Sequence, residues 1–294
     1  MTTKTDAGPM LPTFLGLEPE FCDPSTAAIA VLPVPYDGTS SWKKGADDGP
    51  RALLEASTQV EFFDIPTRTE PYRHGIATLP AVRHDGDPVA LADLVDAQVD
   101  AALARHQLPV VLGGEHSVTI GAVRAAARRF PNLSVLQIDA HGDTRESYDG
   151  STHNHACVMA RVREWCPIVQ VGIRAIDASE MAGMEPERTF FAHDICDGGD
   201  RAWMSRAIAG LTEDVYVTID LDAFDPSLLP ATGTPEPGGL GWYDVIELLR
   251  RVCAERRVVG FDVVELCPSP GQHASEFVAA KLVHRFMAMV LAER

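Results

Sequence analysis

The chain has 294 residues, 46% of them hydrophobic, and its 42 acidic and 25 basic side chains give a net charge of −17. The apolar content suffices for a sizeable core, and the acidic balance argues against nucleic-acid binding, which requires clustered Lys and Arg. A negative field also favours the arrival of cationic ligands. Six scattered cysteines without a CxxC pair predict reduced thiols. We recognise no signal peptide and no apolar run of about 18 residues, so we predict a cytoplasmic protein that does not bind membranes.

Local patterns predict an irregular N-terminal arm over residues 1–24, followed by a single domain over residues 25–294. In chain order they predict a strand at 27–33, a helix from Pro50, a helix at 89–105, a strand at 109–112, a helix at 120–129, strands at 133–138, 168–171 and 215–219, a helix at 243–255, a strand at 258–264 and an amphipathic helix at 277–292. Apolar strands that alternate with helices indicate parallel βαβ units, covered by helices on both faces. We therefore predict a three-layer α/β domain.

Acidic and imidazole side chains follow three of these strands, where open α/β sheets bind their ligands. They are Asp139, His141 and Asp143 in DAHGD, Asp220, Asp222 and Asp225 in DLDAFDP, and His116 in GGEHS. In extended backbone, alternate side chains point the same way, so the members of one cluster can converge. Crowded carboxylates raise one another's pKa, and bound cations relieve that repulsion.

The composition of these clusters indicates which metal they suit. Carboxylates with a minority of imidazoles fit Mn²⁺ better than zinc. The ligands are too many for one catalytic ion, so we predict two ions about 3.5 Å apart that activate a shared water. Each cluster alone has a plainer interpretation, as an Asp-capped turn, a polar loop or a packed histidine. Their joint occurrence at three strand ends favours the two-metal site.

The motifs GGEHS, DAHGD and DLDAFDPSLLPATGTPEPGGL together resemble the ureohydrolase family of arginases, agmatinases and guanidinobutyrases. YDGTSSWKKGADDGPRALLEAS and FDVVELCP extend the likeness, which runs from about residue 27 to the C-terminus. The resemblance implies a three-layer α/β/α fold with a mainly parallel eight-stranded sheet. It also implies a homotrimer or a homohexamer.

The resemblance further implies a complete ligand set for two Mn²⁺ ions, with Ni²⁺, Co²⁺ or Fe²⁺ as alternatives. One ion would be held by His116, Asp139, Asp143 and Asp220. The other would be held by His141, Asp139, Asp220 and Asp222. Asp225 matches a position that is not a ligand, so we predict that it makes loop hydrogen bonds instead.

Three residues acquire catalytic roles through the same resemblance. His155 would protonate the leaving amine, a task that suits an imidazole because its pKa lies near 7. His153, two residues earlier, is the rival for this role, and we predict it to be a loop residue. Glu265 would grip the substrate guanidinium through charge-assisted hydrogen bonds. Asp143 would hydrogen-bond the bridging hydroxide and relay its proton.

The substrate is less strongly specified by the sequence. The stretch GDTRESYDGSTHN lacks the arginase loop pattern, and HACVMARV is more similar to agmatinases, so we predict that agmatine is cleaved to putrescine and urea in polyamine biosynthesis. Guanidinobutyrate, arginine and guanidine stay open, the first two because Arg145 or Lys43 could bind a substrate carboxylate. The role of the loop at 40–50 is also open. Alternatives from other classes are an inactive metal-bound protein and a two-metal phosphoesterase, the latter disfavoured by the acidic clusters.

Overall fold

The computed structural model describes residues 11–196, 198 and 202–293. Its strands are β1 (Ile29–Val34), β2 (Ile76–Thr78), β3 (Leu108–Gly113), β4 (Leu133–Ile138), β5 (Ile168–Ile173), β6 (Thr189–Phe191), β7 (Asp214–Asp220) and β8 (Arg257–Val264). Its helices are α1 (Gly49–Ser57), α2 (Pro88–Ala104), α3 (Val118–Arg129), α4 (Val158–Val162), α5 (Ala178–Met181), α6 (Ala192–Cys196), α7 (Trp203–Ala209), α8 (Trp242–Glu255) and α9 (Ala274–Ala292). No helix in the described part of the chain has both the length and the apolar composition needed to cross a membrane.

The eight strands form one sheet in the order β2-β1-β3-β8-β7-β4-β5-β6, and all neighbouring pairs are parallel. This confirms the predicted α/β fold with an eight-stranded sheet. The apolar pattern identified six of the strands and missed β2 and β6. Both have only three residues and lie at the two edges of the sheet, so they are too short to show a periodic pattern.

Side chains of each strand alternate between two hydrophobic cores, one on each face of the sheet. In β1, Ile29 and Val31 pack with residues of α1, α7, α8 and α9. Ala30 and Leu32 of the same strand pack with residues of α2, α3 and α4 on the opposite face. Because both faces are covered, every position of β1 is buried, which explains why the strands are apolar throughout. The predicted three-layer arrangement is therefore confirmed.

The predicted N-terminal arm is only partly described. Residues 1–10 lie outside the described residues, and the following segment forms two short 3₁₀ turns, Phe14–Gly16 and Pro19–Phe21. Phe14 and Leu15 are buried in the same core as Ile29. This part of the arm packs on the sheet domain.

The strand order brings the sequence clusters together. β3, β8, β7 and β4 are contiguous in the middle of the sheet, and each is followed by one of the polar segments singled out in the sequence. The chain runs from β3 to β4 across the two strands that are added later, β7 and β8. Such a reversal of strand order creates a crevice at the carboxyl ends of the strands, where α/β proteins bind ligands.

Candidate metal centre and active site

A sharp turn after β3 directs His116 into the sheet crevice. Glycine is required at position 114, because a Cβ there would lie 1.9 Å from the carbonyl oxygen of Tyr36. The imidazole of His116 is buried, and its Nε2 lies 2.9 Å from the hydroxyl of Thr218. This contact fixes the ring so that Nδ1 faces the aspartates of the crevice.

Nδ1 of His116 lies within reach of three carboxylates. The distances are 2.9 Å to Asp143 Oδ2, 3.2 Å to Asp139 Oδ2 and 3.4 Å to Asp220 Oδ2. The atom is buried, yet it makes no hydrogen bond to any described residue. Buried polar atoms in proteins are rarely left without a partner. A cation coordinated by the lone pair of Nδ1 and by these three carboxylates would give all four groups a partner.

A second group forms around His141. Its Nδ1 lies 3.0 Å from Asp222 Oδ2 and 3.8 Å from Asp139 Oδ1. The backbone holds both carboxylates in place, because Ala140 N donates to Asp222 Oδ1 at 3.2 Å and His141 N donates to Asp139 Oδ1 at 2.6 Å. Asp220, the last residue of β7, accepts a hydrogen bond from the backbone N of Asp222 at 2.9 Å.

These contacts define two clusters whose donor atoms could each hold a metal ion, and Asp139 belongs to both. One contains His116, Asp139 and Asp220, and the other contains Asp139, His141 and Asp222. In each cluster the donor atoms lie within 4.8 Å of one another. A carboxylate common to two clusters is what a pair of ions bridged by one residue requires.

The electrostatics of the clusters favour bound cations. Burial and the charge of Asp143 raise the pKa of Asp139 to about 6, and burial together with Asp222 raises the pKa of Asp220 well above its usual value. Burial alone would lower the pKa of His141, but Asp222 raises it to about 11. Uncompensated carboxylates therefore compete for protons here, and divalent ions would replace those protons.

Two of the site residues have strained backbones. Asp143 and Glu265 adopt φ values of 52° and 65°, which residues other than glycine seldom take. The carbonyl of Asp143 accepts from the N–H of Met159 at the start of α4, and Glu265 N donates to the carbonyl of Gly114 at 2.8 Å. Strain of this kind persists only where surrounding contacts impose it, and it is concentrated at functional sites.

Glu265 follows β8 and lies beside the first cluster. Its Oε1 accepts a hydrogen bond from the backbone N of His116 at 2.8 Å, which leaves Oε2 for a ligand. Burial, with the nearby charges of Glu115 and Asp222, raises the pKa of Glu265 well above its usual value. A cationic group placed against Oε2 would favour the ionised form.

His155 lies at the wall of the same pocket, whereas His153 does not line it. Thr39 anchors His155 twice, because its hydroxyl accepts from the backbone N of His155 at 2.9 Å and lies 3.1 Å from Nδ1. Burial lowers the pKa of His155, which favours the neutral imidazole. Nδ1 of His153 instead lies 3.0 Å from the hydroxyl of the neighbouring residue Thr152.

The pocket has a volume of about 350 Å³, within the range of small-molecule sites. Its wall includes five of the six predicted metal ligands, together with Glu265 and His155, while Asp139 is fully buried. The loop after β1 contributes Trp42, which is 81% exposed, and Lys43. The structure thus brings all the predicted site residues except Asp139 to the wall of one cavity.

Asp225 lies outside this pocket and holds a loop closed. Its Oδ1 accepts from Ser227, and its Oδ2 accepts from the backbone N of Gly238 and Gly239 at 2.9 and 3.1 Å. These hydrogen bonds, led by those from Ser227, lower the pKa of Asp225 to about 2. The contacts agree with the predicted loop hydrogen bonds.

Sequence reasoning missed four polar residues that support the clusters from within the strands. Gln137 donates to Asp139 Oδ2 at 2.8 Å, and Gln170 donates to Gln137 Oε1 at 2.6 Å. Thr218 and Asp262 form a further hydrogen-bonded pair behind His116. Each interrupts an otherwise apolar strand, and that interruption was the available signal, because buried polar groups require partners.

A parallel sheet between two layers of helices, with carboxylates and imidazoles gathered at its central strand ends, is an arrangement suited to metal-dependent hydrolysis. A family model described as the arginase family matches residues 27–289. The chain belongs to the arginase family, whose members hydrolyse guanidino compounds at a binuclear metal centre. The ureohydrolase resemblance predicted from the motifs is thereby confirmed.

Individual relatives cover nearly the whole chain. An N(1)-aminopropylagmatine ureohydrolase from Synechocystis sp. is 42% identical over 89% of this chain and 88% of its own length. An agmatinase from Pyrococcus horikoshii is 34% identical over 91% of this chain and 93% of its own length. Among solved structures, the agmatine ureohydrolase of Thermoplasma volcanium superposes with a TM-score of 0.86 at 30% identity and covers 96% of this chain and 95% of that one.

Proposed function

We propose that the protein hydrolyses a guanidino compound whose far end carries one or more amines, agmatine or N(1)-aminopropylagmatine, to urea and the corresponding amine. The observation that supports this is the charge at the pocket. Among the described residues, seven that line it are Asp or Glu, against one Lys and one Arg, and four of the seven lie outside the proposed ligand set: Asp177, Glu180, Glu236 and Glu265. A pocket of this charge suits a substrate that is cationic at both ends.

Both basic side chains at the pocket already have partners. Nζ of Lys43 donates to the carbonyl of Cys267 at 3.3 Å and to Ser269 Oγ at 3.0 Å. Arg145 pairs with Glu180 at 3.4 Å, and its guanidinium lies over the ring of Tyr148 at 4.7 Å. A substrate carboxylate would have to break these contacts, which argues against guanidinobutyrate and arginine.

The acidic and aromatic residues of the pocket wall suit an amine tail. Glu236 is half-buried, and its carboxylate makes no ion pair or hydrogen bond with any described residue. Trp42 offers an exposed indole, and such rings attract ammonium groups through their negative faces. A tail with two amines would use both groups, so we favour the aminopropyl compound over agmatine. The Synechocystis relative, which is 42% identical, is named an N(1)-aminopropylagmatine ureohydrolase.

The metal ligands we propose are the six side chains predicted from the sequence: His116, Asp139, Asp143 and Asp220 for one ion, and His141, Asp139, Asp220 and Asp222 for the other. When bound, two divalent ions lower the pKa of a shared water so that a nucleophile is available near neutral pH. Manganese is the proposed metal, because carboxylate-rich ligand sets with few imidazoles suit it.

The remaining chemistry is assigned to three side chains. Glu265 would orient the guanidinium with its free Oε2, since Oε1 is occupied by the N–H of His116. Asp143 would take up the proton that the attacking water loses. His155 would accept a proton relayed from Asp143 and deliver it to the departing amine, which returns the imidazole to the neutral form that burial favours. We also propose that the protein is cytoplasmic, that it forms a homotrimer or a homohexamer, and that it binds neither nucleic acid nor membranes.

The function is tested by urea release from manganese-loaded protein supplied in parallel with N(1)-aminopropylagmatine, agmatine, guanidinobutyrate, guanidinopropionate, arginine and guanidine. We expect kcat/KM for an amine-tailed compound to exceed that for each carboxylated one by at least about 100-fold, or about 2.7 kcal/mol. A preference for a carboxylated substrate would overturn the proposed tail chemistry. The absence of urea from all six, with two metals bound, would overturn the enzyme assignment.

The two neighbouring histidines provide a matched test of the proton carrier. We expect His155→Asn to lower kcat by roughly 10²- to 10³-fold, as is typical for loss of a general acid, while both metal ions stay bound. His153→Asn should leave kcat nearly unchanged, because His153 does not line the pocket. Steady-state urea release over pH 6 to 10 measures both. The reverse ranking of the two variants would reassign the role to His153.

A further inference from the structure

A chain of three buried hydrogen bonds runs from the imidazole of His116 into the sheet. Nε2 of His116 lies 2.9 Å from Thr218 Oγ1, and that hydroxyl donates to Oδ1 of Asp262 at 2.6 Å. The other oxygen of Asp262 accepts from the hydroxyl of Tyr216 at 3.0 Å. All four side chains are at most 1% exposed, so water cannot replace any of these contacts.

The sheet register determines this arrangement. Thr218 and Asp262 are direct partners in the parallel pairing of β7 with β8, so their side chains share one face. β8 also pairs with β3, whose end leads into the turn that carries His116. A hydroxyl and a carboxylate in buried strands are costly unless they are hydrogen-bonded. Thr218 contacts His116 directly, and Asp262 reaches the histidine through Thr218. The pair is therefore connected to the crevice.

The hydrogen bonds can run in only one direction. An ionised Asp262 can only accept, and its two oxygens lie within hydrogen-bond distance of the hydroxyls of Tyr216 and Thr218. Thr218 has one hydroxyl proton and donates it to Asp262, so its oxygen must accept from Nε2–H of His116. A neutral imidazole with its proton on Nε2 has a lone pair on Nδ1. Nδ1 is the buried atom that makes no hydrogen bond to a described residue.

The geometry points to Asp262 and Thr218 as positioning residues that fix the tautomer of His116 and so present Nδ1 to a metal ion. This inference rests on the proposed role of His116 as a metal ligand. Neither residue lines the substrate pocket, so both act only through the histidine. Partners of this kind orient metal-binding histidines in proteins, and their loss weakens metal binding. A network that merely joined β7 to β8 would not determine which nitrogen carries the proton.

The decisive variant is Asp262→Asn, because its amide has nearly the same shape but can donate a proton to Thr218. The Thr218 hydroxyl would then turn toward Nε2, and the proton of the imidazole would move to Nδ1. We expect one of two Mn²⁺ equivalents to bind roughly 10- to 100-fold more weakly, measured by calorimetric titration of chelator-treated protein with Mn²⁺. Tyr216→Phe is the matched control, since it removes a hydroxyl from the same carboxylate and leaves Thr218 in place.

A second pair of variants keeps the inference testable if Asp262→Asn fails to fold. Thr218→Val removes the relay and should weaken the same Mn²⁺ site, whereas Thr218→Ser restores the hydroxyl and should recover it, with folding checked by circular dichroism. Unchanged Mn²⁺ affinity in Asp262→Asn or Thr218→Val would overturn the inference. Equal weakening in Tyr216→Phe would also overturn it. Failure of the unaltered protein to bind Mn²⁺ at all would instead refute the proposed metal site.

Discussion

Replacement of Asp222 by asparagine is expected to remove one bound metal ion and nearly all urea release together. Asn keeps the size of the side chain and an oxygen for the N–H of Ala140, which donates to Asp222 Oδ1 at 3.2 Å. The change therefore removes mainly the negative charge that lies 3.0 Å from His141 Nδ1. Metal ions contribute several kcal/mol to such reactions, so kcat should fall by at least about 10³-fold.

Two measurements check this expectation. Metal content after dialysis, by elemental analysis, should fall from two equivalents toward one, and urea release should fall in the same samples. Asp225→Asn is the matched control from the same segment, because the side-chain hydrogen bonds of Asp225 to described residues all lie within its own loop. It should keep both metal equivalents. Full activity with two metals bound in Asp222→Asn would refute the ligand assignment.

Replacement of Glu265 by glutamine should damage substrate recognition without loss of metal. Removal of one partner of a buried charge pair costs about 2 to 5 kcal/mol, so kcat/KM should fall roughly 30- to 5,000-fold. The loss should be similar for every guanidino substrate, because Glu265 is proposed to contact the group they share. Burial and the charges of Glu115 and Asp222 oppose ionisation of Glu265, so the neutral variant should also raise the Tm of the metal-free protein.

Glu236→Gln is the comparison that separates the two ends of the substrate. It removes a carboxylate from the pocket wall and should lower kcat/KM only for compounds with an amine tail, while guanidine is unaffected. Steady-state kinetics of both variants with agmatine, N(1)-aminopropylagmatine and guanidine give the contrast. The interpretation of Glu265 fails if Glu265→Gln, with both metals bound, keeps the kcat/KM of the unaltered protein.

The sequence by itself determined those features that depend on residues close to one another along the chain. The apolar segments identified β1, β3, β4, β5, β7 and β8, because strands buried on both faces leave a continuous local signal. The alternation in DAHGD predicted that Asp139 and His141 would serve one site, since extended backbone over a few residues fixes side-chain direction. The family motifs were sufficient for the class of reaction.

Only the tertiary structure decided which distant segments meet. The order β3-β8-β7-β4 places the segments after these strands side by side, although long stretches of chain separate them. Nothing in a local pattern encodes that order, because it results from crossover connections and packing on both faces of the sheet. The short edge strands β2 and β6 are likewise defined by pairing with a neighbour rather than by their own composition.

The same limit applies to the chemistry of individual side chains. From the sequence, Lys43 and Arg145 were possible partners for a substrate carboxylate, and the structure pairs them with Ser269 and Glu180 instead. Asp262 was a single polar residue in an apolar strand, and only the β7–β8 register sets it against Thr218. Residue types specify which ligands a site can bind. Packing decides which charged side chains remain free to bind a ligand, because hydrogen bonds and ion pairs form between whichever groups the fold brings within about 3 Å.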